Sequence, residues 1–357
     1  LSAKVDYKSA GVDIEAGNEA VRRMKAHVAK THSRAVLTGL GSFGTTFSLK
    51  DALAGMSDPV MVQSTDGVGT KTKVTVMAAQ AAGADGDKYY ELLGHDLVAA
   101  VAGDIAVMGA RPLTFLDYLG VHHVEPGIIE RLVKGMSDAC AEAGIALVGG
   151  ETAEMPAVYS VGELDVVGFV TGVVERERLL TGASIVAGDV LYGVSSSGLH
   201  TNGWSLARKL LFEMAGYGIE DTPAELGGAT LADVLLEPHA NYVMPIRRAL
   251  DAGIPVKAMA HITGGGVVEN VPRVLPGGLG VVIDRATWTP QPVFRLMQGI
   301  GGIEDVEMHR TFNMGVGLVI VAPAGLVEEL SAAMTGFRVW ELGKVVAGVS
   351  GTQLVGA

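Results

Sequence analysis

Residues 63–73 read QSTDGVGTKTK, and they put an acid, two glycines, a run of hydroxyls and two lysines into one short turn. Met61, Val62 and Gln63 read as the end of a strand arriving from Pro59. Gly67 and Gly69 then let the backbone turn sharply with its N–H groups exposed, where they can hold anionic oxygens. Asp66 stands where a hard cation could bridge carboxylate to phosphate, and Lys71 brings a compact positive charge to the same group. The stretch reads as a seat for a metal-bound polyphosphate; the plainer alternative is a solvated turn with a chance lysine.

Strands and amphipathic helices alternate along the chain, an α/β pattern that restarts in its second half. The 357 residues allow about two domains. A formal net charge of −12, with no basic run longer than two residues, argues against a nucleic-acid or anionic-membrane surface. The one cysteine, Cys140, excludes an internal disulfide and a thiolate metal cluster, and fits a reducing cytoplasm. The apolar, charge-free run 311–327 carries Asn313, Gly315, Gly317 and Pro323 and is too short to cross a bilayer; a buried strand followed by a turn is expected. No signal peptide is expected before Asp6, and Leu1 is compatible with a trimmed start.

Upstream, a helix carries Val21, Met24 and Val28 at helical spacing, with Asn18 as its expected cap. Residues 39–44, GLGSFG, match a dinucleotide fingerprint letter for letter, but AVLT before them is short and TTFSLK after them alternates like a strand. A mobile glycine flap over a nucleotide, or a plain hairpin, fits better. Residues 89–109 read as a helix whose apolar stripe (Tyr90, Leu93, Leu97, Val101, Met108) has Asp104 at its centre, whereas Asp96 falls off the stripe on the solvated side. An unpaired carboxylate at such a position is costly, so Asp104 needs a strong partner, either a metal shared with Asp66 or a pairing within the protein. Residues 115–121 form a strand, 127–143 an amphipathic helix with Cys140 in its core, and IALVGG a further strand whose end carries Glu151 as a metal or amine contact. A strand over 166–174 leaves the first domain, and ERER marks the boundary. In the second half, SSSGLHTNG sets Ser197, His200 and Asn202 before a helix over 204–214, an anion site with a titratable group. HITGGGVVEN repeats the logic with His261, Thr263, Gly264 and Gly265, and 307–321 is a turn feeding a strand, with Arg310 a phosphate or inter-subunit contact.

Taken in order, AGVDIEAGN, TDGVGTK, GGETAEMP, SSSGLHTNG, HITGGGVVENVPRVLP and RTFNMGVG resemble the motifs of the phosphoribosylformylglycinamidine cyclo-ligase (aminoimidazole ribonucleotide synthetase) family. The resemblance implies a two-domain α/β fold: an N-terminal ATP-binding and dimerisation domain over 1–170, whose sheet pairs with that of a second subunit into a central barrel, and a C-terminal α/β domain over 171–357. It implies a cytoplasmic homodimer that uses ATP, Mg2+ and K+ to close the ring of formylglycinamidine ribonucleotide. By position, Asp66 and Asp104 would hold Mg2+, while Lys71 and the Gly67–Gly69–Thr70 turn would take the triphosphate under the Gly41 and Gly44 segment. His200 and His261 would move protons, and Ser197, Asn202, Thr263, Gly264, Gly265 and Glu151 would bind ligand. Two other readings stay open: a sister ATP-dependent enzyme resembling formylglycinamidine ribonucleotide synthetase, and a non-catalytic nucleotide-binding subunit.

Overall fold

The computed structural model describes residues 7–356, whose contacts divide into two compact units. The first takes the described residues up to Val101 together with Pro112–Val173; the second takes Ala102–Arg111 and the described residues from Val174 on. The segment Ala102–Arg111 was expected in the first domain but belongs with the second unit, where Met108 accepts a backbone hydrogen bond from Leu180.

In the first unit, α1 (Ile14–Ala29) is capped by Asp13, whose carboxylate accepts from the N–H groups of Glu15 and Ala16; the expected cap, Asn18, lies inside the helix. The cap falls at Asp13 because the oxygen must precede the first turn to reach its orphan N–H groups. β1 (Pro59–Gly67) is followed by α2 (Lys71–Ala82), α3 (Asp87–Ala106), β2 (Arg111–Val121), α4 (Pro126–Ala143), β3 (Ala146–Glu154) and β4 (Leu164–Glu175). The strands lie in the order β1-β4-β2-β3, with β2 and β3 parallel. β1 runs to Gly67 and β3 to Glu154, so both glycine-acid segments expected as loops begin inside strands.

α4 opens with Pro126 and ends at Gly144 in the left-handed region, as a proline start and glycine stop should. α3 and α4 meet backbone to backbone. A Cβ on Gly94 would lie 2.1 Å from the Leu132 carbonyl oxygen, and one on Gly135 would lie 1.8 Å from that of Glu91. Two facing glycines let α4 settle into α3, and the side chains from Leu97 to Ala100 are buried all round.

The second unit contains a six-stranded sheet in the order β10-β7-β9-β5-β8-β6. Its strands are β5 (Val190–Ser195), β6 (Ala258–His261), β7 (Leu279–Asp284), β8 (Val316–Ala322), β9 (Val339–Ala347) and β10 (Gly351–Val355). All described pairings are antiparallel except β10 with β7. β8 is buried along its whole length, as a charge-free central strand must be, and a turn follows it. The helices are α5 (Trp204–Arg208), α6 (Leu231–Leu235), α7 (Val243–Asp251), α8 (Gly266–Asn270), α9 (Pro292–Gly301), α10 (Asp305–Thr311) and α11 (Val327–Ala333). α5 widens into a π-type turn, Lys209–Met214, and α10 occupies the stretch expected as a turn before β8. Among the described residues no helix is long and apolar enough to cross a membrane.

Candidate active site

The chemistry-bearing residues form two groups, one in each unit. In the first unit Asp66 closes β1, exposed, with its Oδ1 accepting from the N–H of Gly67 at 2.8 Å. Gly69 takes a positive φ of 55°, which glycine adopts without strain, and the chain turns directly into α2. Lys71 is the first residue of that helix, and its side chain turns inward. Its Nζ lies 2.6 Å from Asp96 Oδ2, with both side chains almost completely buried.

This corrects the expected placement of the α3 acids. Asp96, expected on the solvated side, is the buried one, and the ammonium expected against a polyphosphate meets its carboxylate. The single-stripe reading fails because α3 has no polar face at this level. A buried ion pair of this kind is costly to break from either side.

The glycine segment is an open hairpin-like turn. Val36 bridges Phe47, Leu37 donates to Thr46 O at 2.9 Å, and Ser48 donates to Ala35 O at 2.7 Å. No packed strand or helix follows, which excludes the dinucleotide-fold reading. Its tip is exposed, with Phe43 projecting fully, Gly41 at a φ of 100°, and open space around Gly39, Gly41 and Gly44. Glu151 is also exposed, on β3.

In the second unit Asp104, half-exposed on the last turn of α3, accepts from His261 Nδ1 at 2.9 Å. Its strong partner within the chain is thus a histidine at the end of β6. The contact needs Gly103, because a Cβ there would come within 2.9 Å of the His261 ring. The other ring nitrogen of His261 lies 3.1 Å from Nε2 of His239. Both nitrogens of His261 therefore already have protein partners.

His200 is held differently. It adopts a φ of 60°, rare for a residue with a Cβ, and is buried with its ring stacked on His239 at 3.9 Å. Its Nε2 faces the N–H of Ser197 at 3.2 Å and that of Ala240 at 3.4 Å, so it is an acceptor and the proton sits on Nδ1. Ser197 donates its hydroxyl to Pro238 O, which ties the same two loops together. The site expected before the 204–214 helix is thus largely an internal lock, with Asn202 left half-buried at its margin.

The glycine turn after β6 is braced from beneath, where the Asn270 side-chain amide donates to the carbonyls of Gly264 and Gly266 at 3.1 and 2.9 Å. Gly264 is exposed, and Thr263 and Gly265 are partly so. Arg310, expected to contact a phosphate or a subunit, donates to Glu269 at 2.5 Å. Sequence reasoning missed His239 altogether. Its only signal was one more histidine among the four in the same half of the chain, and PHANY has no motif spacing.

Among the described residues no three His, Cys, Asp or Glu side chains converge as a metal cage. A carboxylate such as that of Asp66 or of Asp104 is the kind of hard oxygen donor that Mg2+ takes, ordinarily one or two of them plus a nucleotide's phosphates.

Residues 49–174 match the family model described as AIR synthase related protein, N-terminal domain, and residues 186–355 match its C-terminal counterpart. The chain is 49% identical over 317 residues to the phosphoribosylformylglycinamidine cyclo-ligase of Shouchella clausii strain KSM-K16, covering 89% of this chain and 88% of that one. It is 44% identical over 358 residues to the protein of the same name from Geotalea daltonii, covering 99% of each. Among solved structures, thiamine-monophosphate kinase from Stenotrophomonas maltophilia K279a has the same fold, with a TM-score of 0.65 at 17% identity over 94% of this chain and 95% of that one.

Proposed function

The chain belongs to the phosphoribosylformylglycinamidine cyclo-ligase family, and from that premise we propose that it closes formylglycinamidine ribonucleotide to 5-aminoimidazole ribonucleotide in purine biosynthesis, with ATP converted to ADP and phosphate. The observation that carries this reading is 44% identity sustained over 99% of both chains.

The substrate's amide oxygen is a poor leaving group. Phosphorylation by ATP turns it into an iminophosphate, the internal amidine nitrogen attacks that carbon, and phosphate departs as the imidazole closes. Little covalent work falls to the protein, which has to position the groups, neutralise charge and place protons.

In this reading the Gly67–Gly69–Thr70 turn receives the triphosphate, Asp66 and Asp104 hold Mg2+, and the Gly41–Gly44 segment covers the nucleotide. When bound there, Mg2+ would supply charge neutralisation at the transferring phosphoryl group. Lys71 acts through its ion pair, anchoring the start of α2 to α3 beneath the turn. Ser197, Asn202, Thr263, Gly264, Gly265 and Glu151 surround the ligand, with K+ as the monovalent ion. Because His261 spends both ring nitrogens and His200 its Nε2 within the protein, they shape the site; proton transfer runs through them only when those bonds rearrange.

The protein acts as a cytoplasmic homodimer with a small-molecule substrate and without nucleic acid or membrane. Support for the dimer comes from Met61, Leu116 and Phe169, apolar residues left exposed on β1, β2 and β4 of one sheet.

The test is incubation with formylglycinamidine ribonucleotide, ATP, Mg2+ and K+ while both products are followed. Equimolar aminoimidazole ribonucleotide and ADP is the expected result. ADP alone would point to a sister reaction, and bound nucleotide without either product would point to a non-catalytic subunit.

A further inference from the structure

Three side chains deep in the second unit form one hydrogen-bonded line with Asp104. Asp104 accepts from His261 Nδ1 at 2.9 Å, His261 Nε2 meets His239 Nε2 at 3.1 Å, and His239 Nδ1 meets the Thr201 hydroxyl at 3.3 Å. His239 is wholly buried, and Thr201 and His261 nearly so.

A carboxylate can only accept, and with both imidazole rings neutral this fixes the direction of every bond in the line. With His261 neutral, its hydrogen is on Nδ1 and its Nε2 must accept. His239 must then carry its hydrogen on Nε2 and accept at Nδ1, and Thr201 must donate. Each atom in the line thus has one role. The His200 ring stacked on one face of His239 carries its own proton on Nδ1, and Tyr242 lies edge-on to His261 at 6.3 Å.

The packing is as specific as the bonding. Gly103 leaves room for the His261 ring, and a Cβ on Gly317 would come within 1.9 Å of the Tyr242 hydroxyl and 2.7 Å of the His200 ring. Four rings and two glycines hold the line in place.

We propose that His239 is a positioning residue. Through His261 it holds the Asp104 carboxylate in one orientation, and through Thr201 it ties that orientation to the loop carrying Ser197 and Asn202. The role in turnover rests on the cyclo-ligase reading; the hydrogen-bond line does not. Partners that orient a ligating or reacting group from behind typically change activity by roughly ten- to a hundredfold when removed.

The experiment compares the full-length protein with His239→Gln, which keeps a side-chain N–H donor, and His239→Leu, which does not. Long-range 15N–1H NMR of the histidine rings reads the line directly, whatever reaction the protein catalyses. In the unaltered protein His261 should show a protonated Nδ1 and an unprotonated, hydrogen-bonded Nε2. The Nε2 resonance should move to a free-acceptor position in His239→Leu and return in His239→Gln. Kinetics should show kcat lowered roughly ten- to a hundredfold in His239→Leu, KM for both substrates nearly unchanged, and recovery to within a few-fold in His239→Gln.

A protonated Nε2 on His261 in the unaltered protein, or an Nε2 resonance indifferent to His239→Leu, would overturn the line. Equal loss of kcat in both variants, or no loss in either, would overturn the positioning role. Absence of cyclo-ligase turnover in the unaltered protein, with the NMR pattern as expected, would instead remove the functional reading and leave the line standing.

Discussion

Asp117 points inward from β2, and burial pushes its carboxyl up to about 7, with the nearby Glu151 charge adding to the effect. His309 on α10 is pushed the other way, to about 4, by burial and the Arg285 charge, while its Nδ1 donates to Asp305 O at 2.9 Å. The two act on stability with opposite sign. Folded Asp117 keeps its proton to about pH 7, whereas the unfolded chain releases it near 3.8, so its contribution falls as pH rises through that window. Folded His309 stays neutral while the unfolded chain binds a proton below about 6.5, so its contribution falls as pH drops from 6.5 towards 4. Asp117→Asn should therefore gain stability relative to the unaltered protein at pH 8 and lose that advantage at pH 4, measured by urea unfolding at each pH. A constant difference across that range would mean that Asp117 is not titrating in the fold. Asp104→Asn is expected to cut turnover at least a hundredfold with the fold intact by circular dichroism, since the amide cannot replace the charged acceptor of His261. Unchanged turnover would remove Asp104 from the site.

At the scale of the element, α3 shows what a sequence does and does not disclose. That it is a helix was legible from apolar spacing, although it runs Asp87–Ala106 rather than 89–109, and so was the need of Asp104 for a strong partner. The placement of Asp96 was not. Spacing sorts a helix into an inner and an outer face only when it has an outer face, and α3 packs on all sides. For the same reason the direction of Lys71 was unreadable: its partner Asp96 lies 25 residues further on, in a different element. β1 and β3 ran longer than expected because glycines and acids usually read as strand ends, while pairing in a sheet overrides that preference. His239 left no local trace because the line it belongs to is assembled entirely from distant segments. The glycine pair between α3 and α4 yields a sharp prediction. Gly94→Ala and Gly135→Ala should each destabilise the fold by about 1–3 kcal/mol or more, because the added methyl meets backbone rather than a yielding side chain. Thermal unfolding would show this, and a variant with unchanged Tm would mean that the helices can separate without penalty. Gly17→Ala, with open space around it, serves as the control.

For the whole molecule, a sheet that leaves Met61, Leu116 and Phe169 uncovered on neighbouring strands calls for a second surface. If the proposed dimer is built on this face, Leu116→Asp and Phe169→Asp should each shift the protein to a folded monomer by sedimentation velocity. A dimer that survives both substitutions must be built on another face. A different consequence follows from the allotment of residues 102–111 to the second unit. The chain leaves the ribosome in order, and Asp104 emerges 157 residues ahead of the histidine it will bind. At bacterial or eukaryotic elongation rates that is on the order of ten to thirty seconds during which the first unit can form while the last turn of α3 waits for its partner. Translation speed through this interval thus becomes a variable of assembly, and a nascent chain stalled before His261 would hold its acid without the ring that orients it.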